Sequence, residues 1–244
     1  MMTQEQISEL AKYFQIDNFT IVREYLQLLF LHCLYQDNEA TKIFFKGGTA
    51  IRLLFLSARF SEDLDFSTML SKEEVTRIVK RTEELMQREL PEVKIVFLYS
   101  GNEGLRFRIK YESTDFKYPQ IVRLDFNMVK KVGKSVVLPI TTKFPIIIFS
   151  LVNCLSLENI FSEKIMALNS RGKGRDFYDV WFLLQKKVFL DKKLITKKLL
   201  AKIKAYPQNK LERDLAPFLP KSQRKIIPIL KGELEDYCDN LNPR

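Results

Sequence analysis

A chain of 244 residues, 46% hydrophobic and 29% charged, has an ordinary globular composition and is long enough for one large domain or two small ones. No apolar run reaches the roughly 18 residues of a membrane span, the start M-M-T-Q-E-Q lacks the pattern of a signal peptide, and a single histidine excludes His-built metal sites and most catalytic triads. The net charge of +10 is gathered into residues 101–145 (+5) and 185–244 (+8); this favours a polyanion such as nucleic acid over a solvated lysine-rich surface or an acidic partner protein.

In chain order, residues 3–14 and 19–36 predict helices, the second too densely apolar for a surface. His32 within it is a structural residue. Cys33, Cys154 and Cys238 are far apart with no C-x-x-C pair, and the apolar surroundings of Cys33 and Cys154 suit core thiols in a reducing cytoplasm. Residues 42–45 predict a short strand running into Gly47 and Gly48, and Thr49 is placed to cap a helix through about residue 57. Residues 63–67 alternate acid and apolar as a strand does. Ser71 with Glu74 three positions on forms a capping box for a helix to about residue 89. Strands are predicted at 93–100, 105–111 and 119–129, then an extended stretch to about 151. Helices follow at 156–170, 174–186 and 191–204, with shorter ones to 240. The expectation is an α+β chain: a core domain at 1–150 with a mixed sheet and flanking helices, and a helical domain at 151–244 ending in a basic tail.

The chemistry concentrates in R-F-S-E-D-L-D-F at residues 59–66. On a strand, Asp63 and Asp65 share one face while Leu64 and Phe66 take the other. Two adjacent carboxylates repel unless a cation lies between them. A hard divalent ion, Mg²⁺ above all where phosphates complete its shell, answers that need. A third strand carboxylate, Asp125, alternates with Leu124 and Phe126 in the same way. Three such acids would serve an in-line displacement at phosphorus. The other reading is that Asp63 and Asp65 are turn acids paired with Arg59 or Arg123. Upstream, Lys46, Gly47, Gly48 and Thr49 follow a strand and open a helix, where backbone amides can approach a phosphate. The run is neither a dinucleotide fingerprint nor a Walker A loop, and a plain Gly-Gly turn is its alternative.

K-G-G-T-A-I-R-L-L at 46–54, R-F-S-E-D-L-D-F at 59–66, E-K-I-M-A-L at 163–168 and R-D-F-Y-D-V-W at 175–181 together resemble the motifs of the AbiEii/AbiGii-type nucleotidyltransferases. These are toxins of bacterial toxin–antitoxin and abortive-infection systems, with related mycobacterial toxins among them. The resemblance spans residues 42–184, and it implies a polymerase-β-like fold with a helical second half. It implies NTP-dependent, Mg²⁺-dependent transfer of nucleotides to RNA, the 3′ end of tRNA first, and restraint by a cognate antitoxin in the cytoplasm, with no membrane partner. By position it puts Lys46, Gly47, Gly48, Thr49 and Ser61 at the nucleotide phosphates and makes Asp63 and Asp65 the metal ligands, with Asp125 a looser match to the fold's third carboxylate, where the family varies. It also makes Lys164 a triphosphate contact and Asp176 a further acid needed for activity.

The C-terminal motifs also read without the family. Leu157, Ile160, Phe161, Lys164 and Leu168 fall at helical spacing, so Lys164 borders an apolar stripe. There its ammonium either snorkels to water or meets an anion in a cleft. Asp176 and Asp179 share a helix face, and surface pairs with Arg175 are the plain alternative. In the tail, Lys192, Lys193, Lys197 and Lys198 are candidate RNA contacts. A non-catalytic protein binding RNA or an antitoxin, and transfer of AMP to a protein side chain, are the competing functions.

Overall fold

Alternation at period two sorts the residues of the sheet into a core face and a charged face. On the strand Gly104–Tyr111, Leu105, Phe107, Ile109 and Tyr111 are buried while Arg106 and Arg108 are exposed. On Gln120–Met128, Val122, Leu124 and Phe126 are buried. That pattern is the signature of a sheet covered on one face and open on the other. The computed structural model describes residues 2–113, 116, 118–149, 151–188 and 194–241, the last three of these by backbone alone. Contacts divide the chain into two units, Met1–Leu56 with Phe60–Leu155, and Ser57–Arg59 with Ser156–Arg244.

The first unit holds a mixed seven-stranded sheet in the order β3-β4-β5-β2-β1-β7-β6. The strands are β1 (Ile43–Lys46), β2 (Leu64–Thr68), β3 (Val93–Gly101), β4 (Gly104–Tyr111), β5 (Gln120–Met128), β6 (Ser135–Pro139) and β7 (Leu151–Leu155). β2 runs parallel to β5 and β1 parallel to β7; the other neighbours are antiparallel. Helices α1 (Gln4–Phe14), α2 (Asn18–Leu34), α3 (Gly47–Phe55) and α4 (Lys72–Glu89) complete the unit. α2 packs on β5 and α4 on β3. The densely apolar α2 is accordingly buried along almost its whole length, and α4 begins with the Ser71–Glu74 capping box. Phe66 is the pillar under β2. It stacks on Phe126 of β5 with ring centroids 4.8 Å apart and meets Phe45 of β1 at 5.4 Å and Phe30 of α2 at 6.1 Å.

The second unit is helical: α5 (Leu157–Ser170), α6 (Gly174–Gln185), α7 (Lys197–Ala205), α8 (Gln208–Leu215) and α9 (Leu230–Leu241). Its core includes Phe161, Ile165, Leu168, Phe177, Leu183, Leu199 and Leu211. Among the described residues no helix is long and apolar enough to cross a membrane. The described cysteines are buried and form no disulfide with one another, and burial pushes the thiols of Cys33 and Cys154 up to about 12.

Two sequence expectations change. The stretch before residue 151 was expected to be merely extended, and strand patterns to end near 150; instead β6 and β7 continue the sheet to Leu155. A five-residue run such as L-V-N-C-L has too few positions to show a period, and its strand state comes from β1 and from Tyr35. The Tyr35 hydroxyl lies 2.9 Å from the Ile43 carbonyl and 3.0 Å from that of Asn153, bridging β1 and β7. Thr49 does not cap α3, which begins two residues earlier with Lys46 at the cap position. Its hydroxyl has another use, taken up below.

Replacing Phe66 with Ala should cost about 3–5 kcal/mol, since it removes a buried ring with three aromatic neighbours. Urea denaturation followed by tryptophan-independent far-UV circular dichroism measures it, and a loss under 1 kcal/mol would contradict the role given to that ring.

Candidate active site

Gly47 opens α3 with φ of +79°, a conformation that side chains rarely adopt. A Cβ at this position would also overlap the Asp65 carboxylate. Both facts follow from one geometry: the chain leaves β1 at Lys46, turns sharply, and brings the start of α3 against β2. Lys46 is the cross-strand partner of Asp65. Gly48 and Thr49 are buried in the first turn, where no side chain caps the helix. The Thr49 hydroxyl donates a short hydrogen bond to the Asp63 carbonyl, which ties that turn to the entrance of β2. On the other side of the loop, Gln27 Nε2 donates to the Ser61 carbonyl at 3.1 Å, and Arg23 pairs with Glu62 at 3.3 Å.

Asp65 and Asp125 are direct neighbours on the parallel strands β2 and β5, so their side chains share a face at a strand spacing of about 4.8 Å. Asp63 precedes β2 by one residue. Guanidinium groups answer the repulsion. Arg123 pairs with Asp63 and places Nε 3.1 Å from Asp125 Oδ2, and Arg106 pairs with Asp125. Burial works against the Arg123 charge, but Asp63, then Asp125 and Asp65, outweigh it and raise its pKa. Among the described residues no group of three or more Asp, Glu, His or Cys side chains is arranged to close around one ion. The chemistry of the donors that remain, the carboxylates of Asp63 and Asp65, is of the kind that holds Mg²⁺ together with phosphate oxygens and water. The fit is chemical: hard oxygen donors, a neighbouring turn with room for nothing larger than glycine, and positive charge already drawn to the same carboxylates.

The second unit gathers the C-terminal motifs around two buried acids. Asp176 is 0% and Asp179 1% exposed. Asp179 Oδ1 accepts from Arg59 Nε at 2.7 Å and Oδ2 from Nη2 at 2.9 Å, and Lys164 Nζ lies 2.7 Å from the same Oδ2. Desolvation would raise the Asp179 pKa, but Arg59 and then Lys164 outweigh it and hold it below the usual value of 3.8. Asp176 accepts two hydrogen bonds of 2.9 Å from Arg171 and lies 4.0 Å from Lys164. It also accepts from the Lys173 N–H at 3.2 Å, closing the first turn of α6. The anion that meets Lys164 in the structure is therefore Asp179. Surface pairing of Asp176 and Asp179 is ruled out by their burial.

Of the residues singled out in the sequence, Lys46, Gly47, Gly48, Thr49, Ser61, Asp63, Asp65 and Asp125 come together in the first unit. Lys164 and Asp176 come together in the second. Lys197 and Lys198 are exposed at the start of α7, and Lys192 and Lys193 lie outside the described residues. Arg123 was weighed as a partner of Asp63 and is one; Arg59 was weighed beside it and pairs with Asp179 instead. Arg106 and Asp179 were missed as members of these clusters. Arg106 belongs to an alternating basic strand, and a period-two reading of R-F-R-I-K would have put it on the carboxylate face. A buried acid three residues from Asp176 asks for a cation, but the sequence does not say which.

The chain matches the family model described as nucleotidyl transferase AbiEii toxin, type IV TA system, over residues 29–242. It belongs to the AbiEii nucleotidyl transferase toxin family. The AbiEii fold recurs in solved structures. The MenT4 nucleotidyltransferase toxin of Mycobacterium tuberculosis superposes with a TM-score of 0.70 at 15% identity, over 100% of this chain and 91% of that one. JHP933 of Helicobacter pylori does so with a TM-score of 0.57 at 19% identity, over 92% and 95%. At such identities the likeness is one of fold. An uncharacterised protein of Aquifex aeolicus is 26% identical over 148 residues, 57% of this AbiEii chain and 56% of that protein, so the match spans little more than half of the curated relative.

Asp179→Asn should destabilise the AbiEii chain by about 3–5 kcal/mol, because it removes the carboxylate that neutralises Arg59 and Lys164 in a buried site. Asp179 has a depressed folded pKa, so its stabilisation is complete above the ordinary value of 3.8 and is lost as pH falls through the lower folded value. Urea midpoints should therefore be insensitive to this group between about pH 5 and 8 and should fall below about pH 4. A variant as stable as wild type would remove the buried network from the account.

Proposed function

We propose that the chain transfers a nucleotide from a nucleoside triphosphate to an RNA acceptor, with the 3′ end of tRNA the first acceptor to test. The single observation that carries this is the contact of Gly47 with Asp65. It joins a helix start suited to phosphate and a carboxylate pair suited to Mg²⁺ on one rigid turn. Family membership supports the reaction class.

In this reading the acceptor hydroxyl attacks the α-phosphorus and pyrophosphate leaves. Asp63 and Asp65 would hold Mg²⁺, which when bound offsets phosphate charge and orients the reacting oxygens. The turn at Lys46, Gly47, Gly48 and Thr49 would receive the phosphates through backbone N–H groups and the Lys46 ammonium. Ser61 lies in the same pinned loop as Asp63. Asp125, already shared by Arg106 and Arg123, is a secondary metal contact. The family resemblance assigns Lys164 to the triphosphate and Asp176 to a further essential acid. In the second unit Asp179 and Arg59 set the position of Lys164, and Arg171 that of Asp176. The reading includes an antitoxin partner and a cytoplasmic setting, and the type IV toxin–antitoxin system named in the family description supports both.

Asp63→Asn and Asp65→Asn should each lower transfer by at least about 100-fold while changing stability by less than about 1 kcal/mol, because the Arg123 pair lost at Asp63 is partly solvent-screened and either change relieves repulsion between neighbouring carboxylates. The assay is incubation with total RNA and each labelled NTP in Mg²⁺. Full wild-type activity after thorough chelation would end the metal assignment.

A second expectation concerns the tail. Replacing Lys197 and Lys198 with Gln should raise the KM for RNA with little change at saturation, since what is lost is uniform binding. The log–log salt slope should also flatten by roughly 0.7–0.9 for each phosphate contact removed. Unchanged KM and slope would leave these lysines as a solvated helix face.

A further inference from the structure

One row of cross-strand partners runs over five strands of the sheet: Lys46 on β1, Asp65 on β2, Asp125 on β5, Arg106 on β4 and Tyr99 on β3. Directly paired residues point to the same face. Tyr99 therefore stands on the carboxylate face, two strand spacings or roughly 10 Å from Asp125 and three or roughly 14 Å from Asp65.

Simple alternation would not put it there. Phe97 pairs with Phe107, which faces the core, and a residue two further along β3 should face the core as well. The register slips between Phe97 and Tyr99, so that Leu98 is an extra residue and Tyr99 turns over to the charged face. A bulge next to a functional site commonly re-aims a side chain in this way. The result leaves Tyr99 58% exposed on the edge strand.

The floor beside it carries two glycines. In the adjacent row Gly101 pairs with Gly104, and Gly104 with Asn127. The Tyr99 ring lies over Gly101, where a Cβ would overlap ring atoms. A Cβ at Gly104 would come within 2.7 Å of the Phe126 carbonyl oxygen. Tyr99, both glycines, Arg106, Asp125 and Asn127 line one open groove. At its middle the Arg106 guanidinium is held by Asp125.

We propose that this groove binds a nucleobase, with Tyr99 as its stacking surface. The inference rests on the nucleotidyl-transfer reading. A nucleotide with its phosphates at Lys46 and Asp65 has the length to reach Tyr99 along the row, and so does the terminal nucleoside of an acceptor whose hydroxyl lies near Asp125. An aromatic ring accepts any base by its flat face. The planar Arg106 guanidinium extends that surface toward the carboxylates. Gly101 makes room for the Tyr99 ring itself, and the base takes the open groove beside that ring.

The test uses the full chain and the probes ATP, CTP, GTP, UTP and inorganic triphosphate, titrated calorimetrically in Mg²⁺ into wild type, Tyr99→Ser and Tyr99→Phe. The KM for RNA in the transfer assay is measured alongside. Tyr99→Ser should weaken either the nucleoside triphosphates or the RNA by on the order of tenfold, with Tyr99→Phe close to wild type and inorganic triphosphate unaffected. Loss confined to the nucleoside triphosphates assigns the groove to the incoming base, and loss confined to the RNA assigns it to the acceptor. Unchanged binding of both, or an equal loss for inorganic triphosphate, overturns the proposal while transfer itself stands. A wild-type chain that neither binds nor transfers nucleotide overturns both readings together.

Discussion

Like charges held side by side on parallel strands are the constraint around which the first unit is organised. The pairing of β2 with β5 leaves Asp65 and Asp125 no freedom to separate, because Leu64, Phe66, Leu124 and Phe126 bury the opposite face. Moving either acid away would lift an aromatic ring out of the core. The molecule answers with cations on the next positions of the same face, Arg123 two residues before Asp125 and Arg106 across from it. The basic excess of residues 101–145 is thus partly spent on neutralisation. Only what remains is available to attract a polyanion.

The second unit solves a related problem with the opposite burial. Asp179 is out of contact with water, and such an acid is tolerable only with cations in close geometry. Two converge on it, from α5 and from the segment Ser57–Arg59. A network of this kind adds little net stability over a well-packed apolar core, and it is costly to break from one side. Its gain is orientation: Lys164 Nζ is held at one place beside an apolar stripe rather than moving with a flexible stem.

Much of this was legible because the strong signals are local. The alternation at residues 63–67 and 120–128, the capping box at Ser71, and the apolar density of α2 each reflect packing that a short window contains. The candidate residues of the first unit also group as their spacing suggested, since strand–turn–helix geometry brings Lys46 to Thr49 against Asp65. What escaped is set by partners distant in the chain. β7 is a strand because β1 and Tyr35 receive it. Thr49 is not the cap because α3 already begins at Gly47, and its hydroxyl donates instead to the Asp63 carbonyl across the turn. Arg59 sits four residues from Asp63, yet it pairs with an acid 120 positions away. The bulge at Leu98 is silent in the sequence, because V-F-L-Y is apolar on both faces and carries no parity to be broken.

The second unit is assembled from two pieces of chain, and three residues of it, Ser57–Arg59, lie within the stretch that otherwise builds the sheet. A recombination event with a single crossover near residue 155 would inherit Arg59 from one parent and Asp179 from the other. Exchange of the helical half between relatives would then succeed only where both parents keep the same buried pair, which binds the inheritance of residues 57–59 to that of the C-terminal half.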